Sequence, residues 1–238
     1  MKSSEIIKFL ILRTIGNFLL LFAIFGVFAT FGPSLYYEAE FRIAQTRGVK
    51  YTVVESAPQE TKESALGELL RKEKTSEGFT KVISGPKEQI LMPKDTEFGI
   101  LIPKLGINSK VIPNIDSNDQ KDFLPALQKG VAHAKGSVFP GIRGNTYLFA
   151  HSTDNFWDVG RYNAVFYLLK DLKQGDDIVI FFENRRFNYV VSESKTADSS
   201  DVSFLVKGQE QAEERLILQT CWPPGTTWKR LLIFAKPK

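Results

Sequence analysis

The chain has 238 residues, 43% hydrophobic and 24% charged, with a formal net charge of +4. That balance excludes a disordered chain and leaves room for one ordinary domain plus accessory segments. Acidic and basic residues interleave instead of forming a basic stripe, which argues against a nucleic-acid partner.

No charged residue occurs from Thr14 to Tyr37. About 20 such residues span a bilayer as a helix. Lys2, Lys8 and Arg13 precede the run and favour a cytoplasmic N-terminus, while Tyr36 and Tyr37 sit where an interfacial aromatic belt belongs. The run is longer than a signal-peptide core and shows no clear cleavage site. Residues 1–37 are therefore expected to be an uncleaved membrane anchor, with the remainder outside the cytoplasm.

Residues 38–97 are rich in Glu, Lys, Ser and Thr and are expected to form a stalk. Within them Ala65–Lys72 fits a short helix, with Leu66, Leu69 and Leu70 on one face. That helix either stands free or packs on the domain, where a lid over the active site is conceivable.

From Phe98 the pattern turns to short strands rich in β-branched, aromatic and leucine residues, bounded by Gly, Pro, Asn or Asp. They are expected at 98–103, 109–113, 145–150, 178–183, 186–193, 215–220 and 231–235. Two short helices interrupt, one near Asp122–Lys129. The other is capped by Asn163, carries Phe166, Leu169 and Leu172 on one face, and stops before Gly175. Seven or more strands in residues 98–238 predict an all-β sandwich or barrel.

The chemistry-bearing residues stand at strand ends. The single cysteine, Cys221, closes the apolar strand Arg215–Thr220, ahead of a Pro223-Pro224-Gly225 loop. Being single, it has no internal disulfide partner, so it is either a buried small hydrophobe or a reactive thiol. Arg230 opens the next strand. If the two strands are neighbours, its guanidinium lies beside the thiol, where it favours the thiolate and binds a developing oxyanion. His151 ends the strand Asn145–Ala150, mirroring Cys221, and an imidazolium there supplies the acid that a thiolate needs for its leaving amine. A bell-shaped pH–rate profile is expected from that pairing. Two histidines and one cysteine offer no metal spacing, and Asp198 and Asp201 form no dense acidic cluster, so neither metal nor cofactor is expected.

Taken in order, these motifs resemble the sortase family. The resemblance rests on Leu216-Ile-Leu-Gln-Thr-Cys221 with Arg230 on the next strand, and on Phe149-Ala150-His151-Ser152. It also rests on Ile102-Pro-Lys-Leu-Gly-Ile107, Gly130-Val-Ala-His133, Gly136-Ser137, Pro140-Gly141, Gly144-Asn145 and Gly175-Asp176. It covers about Phe98 to Lys236. Ala150 and Ser152 depart from the usual glycine and arginine around the histidine, which leaves the subclass open between D-like and E-like.

The resemblance implies a closed eight-stranded β-barrel over residues 98–238 with one or two short helices. It implies a cysteine transpeptidase that cleaves a Leu-Pro-x-Thr-Gly-like sorting signal at Thr–Gly. The partners would be surface proteins or pilins bearing that signal, and an amine from a cell-wall precursor or a pilin lysine. Cys221, His151 and Arg230 would be catalytic. Thr220, Trp222, His133 and Ser152 would contact substrate, His133 being structural on the other reading. The rival readings are an L,D-transpeptidase or cysteine peptidase, disfavoured by the lack of a His-Gly pattern before Cys221, and an inert anchored barrel that scaffolds envelope or pilus proteins. In that last case Cys221 would be buried.

Overall fold

The computed structural model describes residues 3–54, 87–152, 164–201 and 213–238. The expected helix at 65–72 and the Asn163 cap lie outside these residues.

Chain order begins with helix α1 (Ser3–Thr46), 44 residues long, and the short strands β1 (Lys50–Val53) and β2 (Glu88–Leu91). Then come β3 (Phe98–Ile102), β4 (Ile107–Ile115), helix α2 (Gln120–Lys129), β5 (Val131–Ala134) and β6 (Gly144–Phe149). The rest is β7 (Asp177–Phe182), β8 (Arg185–Asp198), β9 (Glu214–Trp222) and β10 (Lys229–Pro237), with 3-10 turns at Pro103–Leu105 and Tyr167–Asp171. Strands β3 to β10 close into an eight-stranded barrel in the order β10-β8-β7-β3-β4-β5-β6-β9. Closure leaves no strand edge unpaired. Two neighbour pairs are parallel, β4–β5 and β6–β9; the other six are antiparallel.

Side chains alternate between the two faces of each strand. The registers therefore assign the barrel interior consistently. Ile100 faces Ile180 and Ser109, Leu148 faces His133 and Leu218, and Ile233 faces Leu218. These inward residues form one core with Phe98, Ile102, Leu216 and Leu231. The expected strands are all present, with ends shifted by a few residues. Unforeseen is β5, four residues long. Its Val-Ala-His-Ala run carries little β propensity, and tertiary pairing decides it. The second helix is a short 3-10 turn, not a regular helix. Helix α2 closes the crossover between parallel β4 and β5, and its N-cap Asp119 accepts the Lys121 N–H at 2.9 Å.

The N-terminal segment is not a detached stalk where it is described. β1 and β2 pair in parallel, and Val53, Val54 and Leu91 pack on Leu101, Val179 and Phe181 outside the barrel. Arg186 donates to the carbonyls of Val53 and Val54. Phe41 of α1 joins the main core, and Glu38 pairs with Lys170 at 2.7 Å. Burying these apolar residues favours docking over a free linker. The apolar stretch of α1 at Ser4–Phe28, mean hydropathy 2.1 and with none of it buried, is long enough to cross a bilayer.

β3 begins with a close backbone approach. Asp95 accepts the N–H groups of Glu97 and Phe98 at 2.8 and 3.1 Å, and its own carbonyl comes so near Gly99 that a Cβ there would sit 2.2 Å from it. Gly99→Ala is expected to lower unfolding stability by about 2 kcal/mol or more, read as a shift in the urea midpoint. An unchanged midpoint would mean that the 95–99 backbone yields freely.

Candidate active site

Cys221, Arg230 and His151 meet because three neighbouring strands run in a particular register. Cys221 lies directly opposite Arg230 across the antiparallel β9–β10 pair. Each residue of β6 lies beside the residue 70 positions later in parallel β9, from Gly144 with Glu214 to Phe149 with Gln219. Continuing that offset by two residues sets His151 beside Cys221. The pairing does continue past the formal end of β6: the Ala150 N–H donates to the Gln219 carbonyl at 3.2 Å. The Thr220 hydroxyl donates to the Ala150 carbonyl at 3.0 Å. The His151 carbonyl then accepts the Phe166 N–H at 3.3 Å, so the backbone on both sides of the histidine is held.

All three side chains fall on the outer face of the barrel wall. On β9 that face carries Arg215, Ile217, Gln219 and Cys221, because the even-numbered residues point inward. Cys221 is half-buried, so the thiol is reachable and the inert-barrel expectation of a buried cysteine does not hold. One Arg230 Nη donates toward the Cys221 sulfur at 3.6 Å and toward the carbonyls of Thr227 and Lys229 at 3.2 and 3.3 Å. Those carbonyls hold a permanent positive charge against the sulfur. The connecting loop is a tight turn, with Thr226 bonded to the Pro223 carbonyl and Gly225 in the left-handed region at φ 81°. It folds β10 straight back, which brings Arg230 level with Cys221.

The expected substrate contacts fare differently. Thr220 points inward and is buried, and its hydroxyl is engaged by Ala150. Ser152 is buried too. Trp222 is half-buried and packs on the core at the end of β9. His133 is fully buried and faces the barrel interior opposite Leu148, so it does not join the trio. Its Nδ1 accepts the Asn114 N–H at 3.3 Å, which makes Nε2 the protonated nitrogen, 3.1 Å from the Val138 carbonyl and 2.9 Å from the Ser137 hydroxyl. Its ring stacks on Phe139 at 4.6 Å. Thr220 faces away from Cys221, its neighbour in sequence, because a strand's two-residue period turns adjacent residues to opposite faces.

Sequence reasoning passed over Tyr147 and Gln219. Gln219 lies two residues before Cys221 on the same outer face, and the buried Tyr147 phenol donates to its side-chain oxygen. Burial pushes the Tyr147 hydroxyl far above its ordinary range, with the Arg230 charge pulling the other way, so it stays protonated as a donor. A glutamine directly after the apolar run Leu216–Leu218 was the signal.

Burial holds the His133 imidazole below its ordinary value, while the bond to Val138 acts in the opposite direction. The unfolded chain therefore takes up a proton that the folded chain refuses. Stability should fall as pH drops below about 6.5, by at most about 1.4 kcal/mol per pH unit from this group. Urea midpoints at pH 7.5 and 5.5 should show a smaller acid loss in His133→Gln than in the parent, and equal losses would absolve His133.

The sortase-domain family matches residues 100–238. Sortase D of Bacillus subtilis (strain 168) is 30% identical over 142 residues, which cover 58% of this chain and 62% of that relative. The match thus spans less than two thirds of that protein's length. Among solved structures, sortase C1 of GBS pilus island 1 superposes with a TM-score of 0.50 at 23% identity, covering 62% of this chain and 66% of that one. The Clostridium perfringens sortase D5 transpeptidase superposes with a TM-score of 0.49 at 21% identity, covering 74% and 90%.

Proposed function

This chain belongs to the sortase family, and from that premise we propose that it is a membrane-anchored cysteine transpeptidase acting outside the cytoplasm. The observation that carries the reading is the alignment of His151, Cys221 and Arg230 at one level across three adjacent strands. Neighbouring strands stand about 4.8 Å apart, a separation that side chains bridge readily through a substrate.

In this reading the Cys221 thiolate attacks the carbonyl carbon of a threonine in a Leu-Pro-x-Thr-Gly-like signal. Negative charge develops on the carbonyl oxygen, where the Arg230 guanidinium stabilises it. His151 gives its proton to the leaving glycine nitrogen as the C–N bond breaks, which leaves a thioester on Cys221. An incoming amine then attacks the thioester, loses a proton to His151 and expels the thiolate. The enzyme returns to its starting state with one amide exchanged for another. The donors would be surface proteins or pilins, and the amine would come from a cell-wall precursor or a pilin lysine. Gln219, oriented by Tyr147, offers its amide to the bound signal just below the nucleophile.

Residues 1–37 serve as the anchor in this reading, residues 98–238 as the catalytic barrel, and residues 38–97 as the connection whose described ends dock on that barrel.

The test is mass spectrometry of the full chain in detergent with Leu-Pro-x-Thr-Gly-like peptides and an amine. An acyl adduct on Cys221, absent from Cys221→Ala, is expected. No adduct from a folded protein with any peptide would overturn the activity. Arg230→Ala and His151→Ala should each cost at least about 100-fold in kcat/KM, and Arg230→Lys should restore only part. Gln219→Leu should raise KM more than it lowers kcat, and a fall in kcat alone would place Gln219 in the chemical step instead.

A further inference from the structure

A cavity of about 860 Å³ has none of His151, Cys221 or Arg230 in its lining. One wall is α1, through Glu40, Phe41, Ala44 and Gln45, and the other is the β3–β4 connection at Pro103–Lys110. Its volume suits a bound small molecule. Phe41, Ala44, Leu105, Ile107 and Leu168 form an apolar floor, and five lysines line its borders. Two of those are neutralised: Lys104 pairs with Asp176 at 2.7 Å, and Lys110 with Asp95 at 2.9 Å. Lys50, Lys94 and Lys129 are exposed and have no carboxylate partner among the described residues. Against them stands one lining acid, Glu40, whose carboxyl is pushed above its ordinary value by desolvation. Tyr51 also lines the cavity, and burial together with the nearby Glu40 keeps its phenol protonated as a donor. Apolar floor, cationic border and neutral donor together describe a site for an anion attached to an apolar body.

The helix says where this site stands. Charge first reappears after the uncharged run at Glu38, and the α1 wall begins two residues later, on the same continuous helix. At 1.5 Å per residue that wall starts about 5 Å beyond the uncharged stretch. The polar layer on each side of a bilayer is about 5–8 Å deep. Glu38 is tied to Lys170, so this end of α1 is held to the barrel and its depth is shared by the cavity.

We infer that the cavity between α1 and the β3–β4 connection binds the phosphate headgroup of an anionic membrane lipid, with Lys50, Lys94 and Lys129 as its cationic border. The consequence is orientation: a lipid held there fixes the barrel against the membrane surface, and with it the direction from which an acceptor reaches Cys221. Lysines at a membrane surface contribute attraction of this kind, and salt screens it. This inference rests on the anchor reading above, and its test separates the two.

The full chain is purified in mild detergent and titrated, by native mass spectrometry, with dihexanoyl phosphatidylglycerol, dihexanoyl phosphatidylcholine or inorganic phosphate. The expected result is a one-to-one phosphatidylglycerol adduct whose dissociation constant rises at least tenfold in the Lys50→Gln/Lys94→Gln/Lys129→Gln variant, with peptide acylation of Cys221 unchanged. Equal binding of the phosphatidylcholine, an unaffected triple variant, or no adduct would overturn it. Inorganic phosphate binding as tightly as the lipid would make this a plain anion site and also overturn the lipid assignment. Flotation of the full chain with neutral vesicles tests the anchor by itself, and its failure would leave the adduct measurement standing.

Discussion

The parallel pairing of β6 with β9 is the constraint on which the rest of the site depends. It couples two strands whose partners are 70 residues apart in sequence, and it sets the histidine level with the cysteine. Parallel neighbours cannot be joined by a tight hairpin, so everything between them has to travel round the barrel and return. β7 and β8 are that return path, and closure of the sheet brings β9 home between β6 and β10. Two hydrogen bonds extend the pairing beyond the last ladder residue, one from the Ala150 N–H and one from the Thr220 hydroxyl. Thr220 thus holds the histidine's strand end against the cysteine's, through an inward-facing hydroxyl that donates to the Ala150 carbonyl.

The period of two then sorts residue types by face. His133 and His151 lie on adjoining strands and have opposite fates. His133 faces inward, is wholly buried and has both nitrogens bonded, which suits a neutral ring that locks a turn. His151 stands on the outer side at the rim, beside a half-buried thiol and a cation held by backbone carbonyls. The same alternation places Gln219 and Tyr147 on the face that carries Cys221 and turns Thr220 to the other. The polar groups of the site are fixed by rigid strands instead of mobile loops, which favours a geometry held before substrate arrives.

The N-terminal region is built into the domain more closely than a tether would be. A single helix runs from the apolar N-terminal stretch to Thr46, and its last turns touch the main core and the 3-10 turn that follows the histidine segment. β1 and β2 cover the outer faces of β3 and β7. The barrel's position relative to the helix is therefore a property of packed side chains, and the cavity at their junction exists because the two surfaces meet over only part of their contact.

Local pattern determined a good deal by itself. Uncharged length marked the N-terminal helix, short β-rich runs between turn residues marked seven strands, and the ordered motifs around Ile102, His151, Cys221 and Arg230 pointed to the family and to the candidate trio His151, Cys221 and Arg230. These are statements about residues near one another in sequence, where propensity and periodicity act. β5 was hidden because Val-Ala-His-Ala has only a weak strand preference until β4 and β6 flank it. The fates of Thr220, Ser152 and His133 were hidden because a shift of one residue reverses a strand's faces, and only long-range pairing says which face is inside. The docking of β1, β2 and α1, and the cavity they enclose, were beyond reach for the same reason. They depend on contacts between segments far apart in sequence, and burial, which supplies the energy for such contacts, is a property of the assembled surface and not of any segment alone.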